Sequence, residues 1–510
     1  MTITSQNLRF MLGVKIRQNR HRLRMSLKKL SEATGLSISY LSEIEKGKKY
    51  PKPEKILHIG EALGVSFDDL VSVQADAGLN PLTEILSSPV LQEFPFQMYG
   101  ISRQDMLSLL TGDPEKAGAF IRTLFEIGQD YDMRVEHLLL SALRSYQQMH
   151  LNYFPDIETA AESFRGEYGL SVVPGPDDAA LQRILEKRFG YQVESRPLES
   201  HPVLSDIRSV FIPGSPPRLL LNTCLAPNQR AFLLGREIGF HYLGLKERVP
   251  TSSWMGARSF DELLNTFKAS YFAGAVLLNR NAVVAGLEEL FSRERWDGEA
   301  FLGEIRRFGV TAETYLYRVS ELLPTAMGIK NLFFARFHHR PDEAEYRLTK
   351  FFNMTPLFIP KGITAREHHC RRWLPIRLLD ELGTGFTTAD RRNPLIRAAR
   401  GQALDGDLEV FTIALAGPAS DDGRELVSGA VSFVMDDAFR DKVAFWNDPD
   451  LETTALGLTC ERCGLEEGRC EDRAAPPTIF TAEHRRRTRE NALATLLAEQ
   501  AEMGNPDSTI

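Results

Sequence analysis

Between Leu27 and Tyr50 the chain reads LKKLSEATGLSISYLSEIEKGKKY. Leu27, Leu30 and Ala33 recur at helical spacing, Gly35 breaks that helix, and Ser37 can cap a second one whose apolar stripe is Ile38, Leu41 and Ile44. Two short helices joined through a glycine make a helix-turn-helix. The residues left over near the start of the second helix, Ser37, Ser39, Tyr40, Ser42 and Glu43, point away from the stripe, where this geometry reads base edges. Lys46, Lys48, Lys49 and Lys52 follow, where a helix end and its loop would lie against phosphates. Lys28, Lys29 and the Arg17, Arg20, Arg22, Arg24 series add charge of the same sign. The plainer reading of the same residues is a small helical core with a solvated basic edge.

Over residues 9–72 the chain resembles Cro/phage-repressor-type DNA-binding domains, most specifically in SISYLSEIEKGKKYPKPEKILHIGEALGV. On that resemblance Leu8–Arg24 is the first helix, Pro53–Leu63 and Ser66–Val71 are the closing two, and Ile56, Ile59 and Leu63 complete the core. It implies a homodimer reading a double-stranded operator with two recognition helices about one DNA turn, roughly 34 Å, apart.

The whole chain fits a regulated, multi-domain protein. Its 510 residues predict three or so domains, and 43% hydrophobic composition is ample for real cores. Residues 1–60 carry thirteen Lys and Arg against four Glu, a net +9 that leaves −16 for the remainder of a chain of net charge −7. Only the N-terminal end suits a polyanion. Met1–Asn7 has no apolar signal core and no apolar run approaches the ~20 residues of a membrane span, so a cytoplasmic protein without membrane contact is expected. Five cysteines argue against a secreted disulfide framework and leave metal or redox roles open.

VQADAGLNPLTE, after Val71, reads as a linker over 73–81. A helical connecting region over 82–169 follows, with helices at Pro114–Ile127 and Val135–Gln147. Then come a helix led by Asp177, a strand at Tyr191–Ser195, and Val210–Ile212 and Leu219–Leu221 flanking PGSPP as a hairpin. In the next helix, Asn228–Leu243, RAFLLGREIGFHYLG sits where ImmA/IrrE-type peptidases carry their zinc helix. That family needs HExxH, two histidines one helical turn apart on a metal with a glutamate that activates water. Here the matching residues are Arg236, Glu237 and Phe240, and Thr266 stands near where an acidic third ligand is expected. Arginine and phenylalanine cannot hold zinc, so the expectation for residues 170–329 is a kept fold with the hydrolase lost and no enzyme activity. Glu237 and His241, four apart, leave a two-ligand site open on geometry.

Helices at Gly298–Phe308 and Ala312–Leu323 lead into strands at Leu332–Phe337, Tyr346–Phe352, Glu409–Ala416 and Ala430–Met435, a sheet-containing domain over 330–475. The fold class is therefore mainly α with an α+β C-terminal part: an all-α helix-turn-helix domain, a helical, zincin-like middle and a mixed-sheet domain with a cysteine loop. That loop, TCERCGLEEGRC, places Cys460, Cys463 and Cys470 in a C-x2-C-x6-C arrangement, with Cys370 upstream in HHCRRWLP. Two thiolates three residues apart can wrap one ion or cluster, a third closes the loop, and a fourth comes from elsewhere in the fold. Buried, unliganded thiols are the alternative. Arg371, Arg372, Arg462, Arg469 and Arg473 flank these positions, and positive charge lowers thiolate pKa values. Spacing does not separate zinc from iron–sulfur.

The succession of a Cro-type head, a decayed ImmA/IrrE body and a domain ending in this cysteine loop and AAPP resembles the short-chain fatty acyl transcriptional regulator family over nearly its full length. The resemblance implies control of acetate, propionate and methylcitrate metabolism, acyl-CoA sensing, and a four-iron four-sulfur (4Fe-4S) cluster on Cys370, Cys460, Cys463 and Cys470, with Zn2+ as the alternative. Cys224, on an apolar strand, is left as core. An acyl-CoA site needs an apolar tunnel and a basic mouth for phosphates. Candidates for the mouth are Arg336, Arg347, Lys350, Arg391 and Arg392, and for the tunnel Tyr271 and Phe272. The tail over 476–510, HRRRTRENALATLLAE, reads as an amphipathic helix with Arg485, Arg486, Arg487 and Arg489 outward. Taken together, the sequence predicts a dimeric transcription factor whose operator binding is modulated by an acyl-CoA ligand. A metallopeptidase acting on a repressor, and a zinc-stabilised DNA binder without a small-molecule ligand, are the readings it must be told from.

Overall fold

Among the described residues up to Val71 the N-terminal head is built of five helices: α1 (Ser5–Arg22), α2 (Leu27–Thr34), α3 (Ile38–Glu45), α4 (Pro53–Leu63) and α5 (Phe67–Val71). The computed structural model describes residues 5–45, 49–71 and 135–503, apart from 196–203, 205–206, 253–256, 356–366, 386–393, 405, 407, 420–424 and 466–468. The linker at 73–81 and the helix at Pro114–Ile127 lie outside the described residues. The chain divides into two units, Met1–Leu143 and Arg144–Ile510.

In the first unit the local signals act as expected. Ser26 Oγ accepts from the Lys29 amide at 3.1 Å to open α2, Gly35 closes it at φ +67°, and Ser37 Oγ accepts from the Tyr40 amide at 3.2 Å to open α3. The core is Leu12, Ile16, Leu30, Leu41, Ile44, Ile56, Ile59, Leu63 and Leu70. Two members of the expected stripes are corrected. Ala33 is exposed and Ile38 is 46% exposed, because Leu30, Leu41 and Ile44 already fill the small core and the first turn of α3 stands past its edge. A Cβ at Gly13 would run into the Ile44 carbonyl oxygen, so glycine is what lets α1 lie directly on α3.

Helix α6 (Val135–Met149) runs through the division at Leu143, and the second unit continues with α7 (Pro155–Tyr168) and α8 (Asp178–Phe189). Strands β1 (Gln192–Ser195), β2 (Ser209–Ile212) and β3 (Arg218–Leu221) form a sheet ordered β1-β3-β2, in which the expected hairpin pairs Val210 with Leu220. Helices α9 (Pro227–Tyr242) and α10 (Phe260–Leu277) pack closely through glycine: a Cβ at Gly239 would sit 3.0 Å from the Ala269 carbonyl oxygen and 3.1 Å from the Phe272 ring. Helices α11 (Arg280–Phe291), α12 (Gly298–Phe308) and α13 (Ala312–Ala326) complete the helical part.

A six-stranded sheet follows, ordered β5-β4-β8-β7-β6-β9. Its strands are β4 (Leu332–His339), β5 (Tyr346–Asn353), β6 (Leu395–Ala403), β7 (Glu409–Pro418), β8 (Leu426–Val434) and β9 (Thr453–Leu456). Helix α14 (Leu374–Gly385) covers one face against Phe333, Ala335, Phe337, Ala414 and Ala430. On the other face Tyr317 of α13 meets Phe334 edge-on at 5.1 Å. With both faces covered, the central strands lose their polar alternation. The architecture is α plus β, as expected. The sequence reading missed β6, β9 and α14: LIRAARGQA is interrupted by arginines, β9 has four residues, and α14 hides behind the conspicuous HHCRRW run. The final helix, α15 (Thr478–Met503), is exposed on every side from Ala482 to Leu497, so the expected amphipathic burial is not made within the described chain.

Candidate functional site

Three places carry the residues singled out in the sequence. On the first unit, α3 presents exposed Ser37 and Ser39 with half-buried Tyr40, Ser42 and Glu43, and Lys28 is exposed on α2. Lysines gather around this surface: Lys55 Nζ stands 4.4 Å and Lys49 Nζ 5.6 Å from the Tyr40 ring centre, and Lys49 pairs with Glu43 at 2.7 Å. Lys46 and Lys48 lie outside the described residues. Arg20 does not belong to the basic surface. It is 8% exposed and gives Glu45 two hydrogen bonds, at 2.7 and 2.8 Å, because Glu45 is itself buried at the end of α3 and requires a counter-charge. Lys15 is likewise internal, donating to the Asp69 carbonyl at 2.6 Å.

On α9 the residues at the zinc-helix positions form a salt-bridged plug. Glu237, 1% exposed, accepts from both terminal nitrogens of Arg248 at 2.8 and 2.6 Å and from the Tyr191 hydroxyl at 3.4 Å. The Arg248 guanidinium lies between the rings of Phe211 and Phe240, 3.9 Å from each centre. His241 bonds Tyr191 at 2.8 Å, and Thr266 donates to the Glu262 carbonyl at 2.7 Å. Both oxygens of Glu237 are engaged, so a metal ion on Glu237 and His241 would first have to displace Arg248.

The second unit also contains an open cavity of about 1760 Å³ between α9, α10, α13 and the β4–β5 edge. Tyr271, Arg336, Arg347 and Lys350 all line it. Phe272 does not: it is fully buried, with Phe164 and Tyr242 each 5.6 Å away, because it is one residue, about 100° of helix, past Tyr271. Arg391 and Arg392 lie outside the described residues. Cys224 is exposed and lines the cavity rather than packing as core, since β3 ends at Leu221. A bulge decides the basic edge. Arg336 opposes Lys350 and His338 opposes Arg347, so the irregularity between Arg336 and Phe337 brings Lys350 and Arg347, three apart, to the same face.

Eight Arg and Lys line the cavity against four acids, which leaves it electropositive. Arg336 bonds Glu313 at 2.5 Å, and Arg347 bonds Glu425. Burial pushes Glu313 up, but the charges of Arg336, Lys350 and Arg208 outweigh it and hold the carboxyl down at about 2. Burial lowers Lys350 to about 8; its ammonium lies 3.2 Å from the Tyr317 ring centre. Beneath Tyr271, Arg318 is fully buried, 2.8 Å from Glu158 and 3.0 Å from Glu321. Glu158 also accepts from the Tyr271 hydroxyl at 2.6 Å. Arg318 stays charged between the two carboxylates, while burial raises Glu321 to about 7 against the pull of Arg318. Sequence reading missed Glu313, Arg208 and this cluster because no spacing marks residues that meet only through the fold.

The cysteine loop is held to HHCRRW by a short antiparallel bridge between His369 and Thr459, with the Cys370 amide donating to Leu458 and the Cys460 amide to His368. All four thiols are free. Cys370 and Cys470 each sense the charge of Cys460 and Cys463, so the four share one neighbourhood. The Ala474 amide donates to Cys460 Sγ at 3.4 Å and Arg473 to Cys463 Sγ at 3.9 Å, donors that suit thiolates. Among the described residues, however, no three His, Cys, Asp or Glu side chains are placed to hold a metal ion, and burial pushes the Cys370 thiol up to about 11. The flanking arginines are partly spent elsewhere: Arg462 binds Glu367 through two bonds of 2.9 Å.

Comparison with known proteins supports the head directly and the body more broadly. Residues 16–70 match the family model of the helix-turn-helix. A propionyl-CoA carboxylase regulator of Cereibacter sphaeroides is 25% identical over 490 residues, 91% of this chain and 94% of its own. Among solved structures, a Mycobacterium tuberculosis transcriptional regulator aligns at 21% identity and a TM-score of 0.44, over 65% of this chain and 92% of its own. The apo competence regulator ComR of Streptococcus vestibularis aligns at 17% identity and a TM-score of 0.13, over 62% of this chain and 98% of its own. No helix among the described residues is long and apolar enough to cross a membrane.

Proposed function

We propose that this chain, a DNA-binding transcriptional regulator by its helix-turn-helix head, reads an operator as a homodimer and is modulated by a short-chain acyl-CoA held in the cavity of its second unit. The observation that carries the ligand is the electropositive cavity itself, walled on one side by Arg336, Arg347 and Lys350 and on another by Tyr271 and Phe267. Cations at a cavity edge suit the phosphates of coenzyme A, and the cleft beside them is large enough in volume to take its pantetheine arm. The similarity to a propionyl-CoA carboxylase regulator along nearly the whole chain favours the same ligand class. Binding regulates DNA only if the thioester's affinity differs between operator-bound and free protein.

In this reading Cys370, Cys460, Cys463 and Cys470 hold a 4Fe-4S cluster, with zinc as the second possibility. Such a group would supply a cross-link between the cysteine loop and the HHCRRW segment, and in the iron–sulfur case a redox-sensitive one. The chain's own part is to keep the four thiols in one neighbourhood, with the Ala474 amide and Arg473 donating toward the Cys460 and Cys463 sulfurs. α9 is proposed to be structural rather than hydrolytic, since Arg248 engages the one glutamate in the HExxH register.

Calorimetric titration of the full chain with propionyl-CoA, followed by operator gel shifts with and without it, tests the ligand. Saturable binding and a changed operator affinity are expected; no binding, or binding without effect on DNA, overturns the reading. Visible absorption near 400 nm in anaerobically purified protein is expected for iron–sulfur ligation, whereas a colourless protein with stoichiometric zinc favours the second possibility.

A further inference from the structure

Arg236 has no role in the reading above, and its setting is unusual. It is 4% exposed yet lines the cavity. Two of its nitrogens donate only to neutral oxygens, the Ser252 carbonyl at 3.2 Å and the Ser209 hydroxyl at 3.4 Å, and its Nε is buried with no hydrogen-bond partner. The one carboxylate paired with it, Glu237, is 3.9 Å away and is already held through both oxygens by Arg248. Two guanidinium groups therefore share a single negative charge. Burial lowers Arg236 to about 10, which still leaves it cationic near neutral pH. A buried charge without its own counter-ion is strongly unfavourable, and an unbranched apolar side chain such as methionine would remove the cost.

Among the described residues no carboxylate is hydrogen-bonded to it. Ser252, Thr266 and Ser270 share the cavity wall with Arg236, and the last two hydroxyls donate back to their own helix, to Glu262 at 2.7 Å and Thr266 at 2.8 Å. Arg208 lines the same cavity, its amide bonded to Ser252 Oγ at 3.1 Å, and among the described residues its side chain makes no ion pair. Arg318, Arg336 and Arg347, by contrast, each have a bonded carboxylate. A plain alkyl terminus placed against Arg236 would deepen its desolvation, whereas a carboxylate would supply the missing charge and accept from a guanidinium fork.

We propose that Arg236 is an anion receptor for the ligand's acyl group, so that the preferred thioester carries a terminal carboxylate, as malonyl- and succinyl-type CoA esters do. This rests on the acyl-CoA reading of the cavity and narrows it. The phosphates of coenzyme A are common to every thioester, so they cancel when two acyl groups of one length are compared.

Calorimetry on the full chain with malonyl-CoA against propionyl-CoA, and succinyl-CoA against butyryl-CoA, makes that comparison. The carboxylated member of each pair is expected to bind about 10- to 100-fold tighter, the usual worth of a charge-assisted hydrogen-bonded pair. The ratio should fall toward one in Arg236→Met and be partly kept in Arg236→Lys. Equal affinities in the unaltered protein, or a ratio that survives Arg236→Met, overturns the proposal while leaving the acyl-CoA reading intact. Should Arg236→Met prove unfolded by circular dichroism, the unaltered protein and Arg236→Lys decide. Free malonate and succinate form the separating arm. Their binding where no thioester binds keeps the receptor and removes coenzyme A, and failure of all ligands removes both.

Discussion

Arg20 and Glu45 show what one residue can hide. Four arginines between Arg17 and Arg24 look equivalent in sequence, and charge counting assigns them all to a polyanion, yet one is sealed inside by two hydrogen bonds to Glu45. Nothing local distinguishes it, because its partner lies 25 residues away. Glu45→Ala leaves that guanidinium buried and unpaired, and a loss of roughly 3 kcal/mol in the stability of the head is expected, read by chemical denaturation. Glu313 makes the complementary case in the body. Its folded carboxyl sits at about 2, below the ordinary value of 4.5, so its stabilising contribution is complete above pH 4.5 and is lost as the pH falls through 4.5 toward 2. Glu313→Gln should therefore melt lower at pH 7 and lose less stability than the unaltered protein over that acidic window, measured by thermal melts across pH.

Among elements, the α2–α3 pair was legible nearly residue by residue, because two caps, the glycine that stops α2 and the buried aliphatics of α3 are local signals. Removing the Ser37 cap with alanine is expected to cost the head about 1 kcal/mol. Ser39→Ala with Tyr40→Ala should abolish preference for the operator over random duplex. Lys49→Ala should instead weaken both alike and flatten the salt dependence by about one unit of slope, as a phosphate contact does. Salt-resolved binding titrations separate the two behaviours. The β4–β5 edge was legible only in part. The strands were visible as apolar runs, but the bulge that turns Arg347 and Lys350 to one face depends on the pairing of two strands, which no single run of sequence encodes. Phe272 fails for the opposite reason: its type fits a tunnel, and only the helix phase sends it into the core.

At the scale of the molecule, the sequence gives the order of head, helical body, sheet and cysteine loop, since each part has its own periodicity. It does not give the cavity, whose wall is drawn from residues as far apart as Arg208 and Val427. Nor does it give the electrostatic setting of Glu237 on α9. There the sequence shows only that two ligands are missing. The fold adds Arg248, wedged between Phe211 and Phe240 and bound through both terminal nitrogens to Glu237. Restoring histidine at positions 236 and 240 would return the letters of the motif without its chemistry. The glutamate would still be neutralised by a cation from a different loop, and a metal would have to evict that cation first. A metal site here thus requires a third change, at Arg248, together with the other two, and that change made alone strands Glu237 as an unpaired charge in the interior. A zinc site on α9 is opposed by packing as much as by spelling.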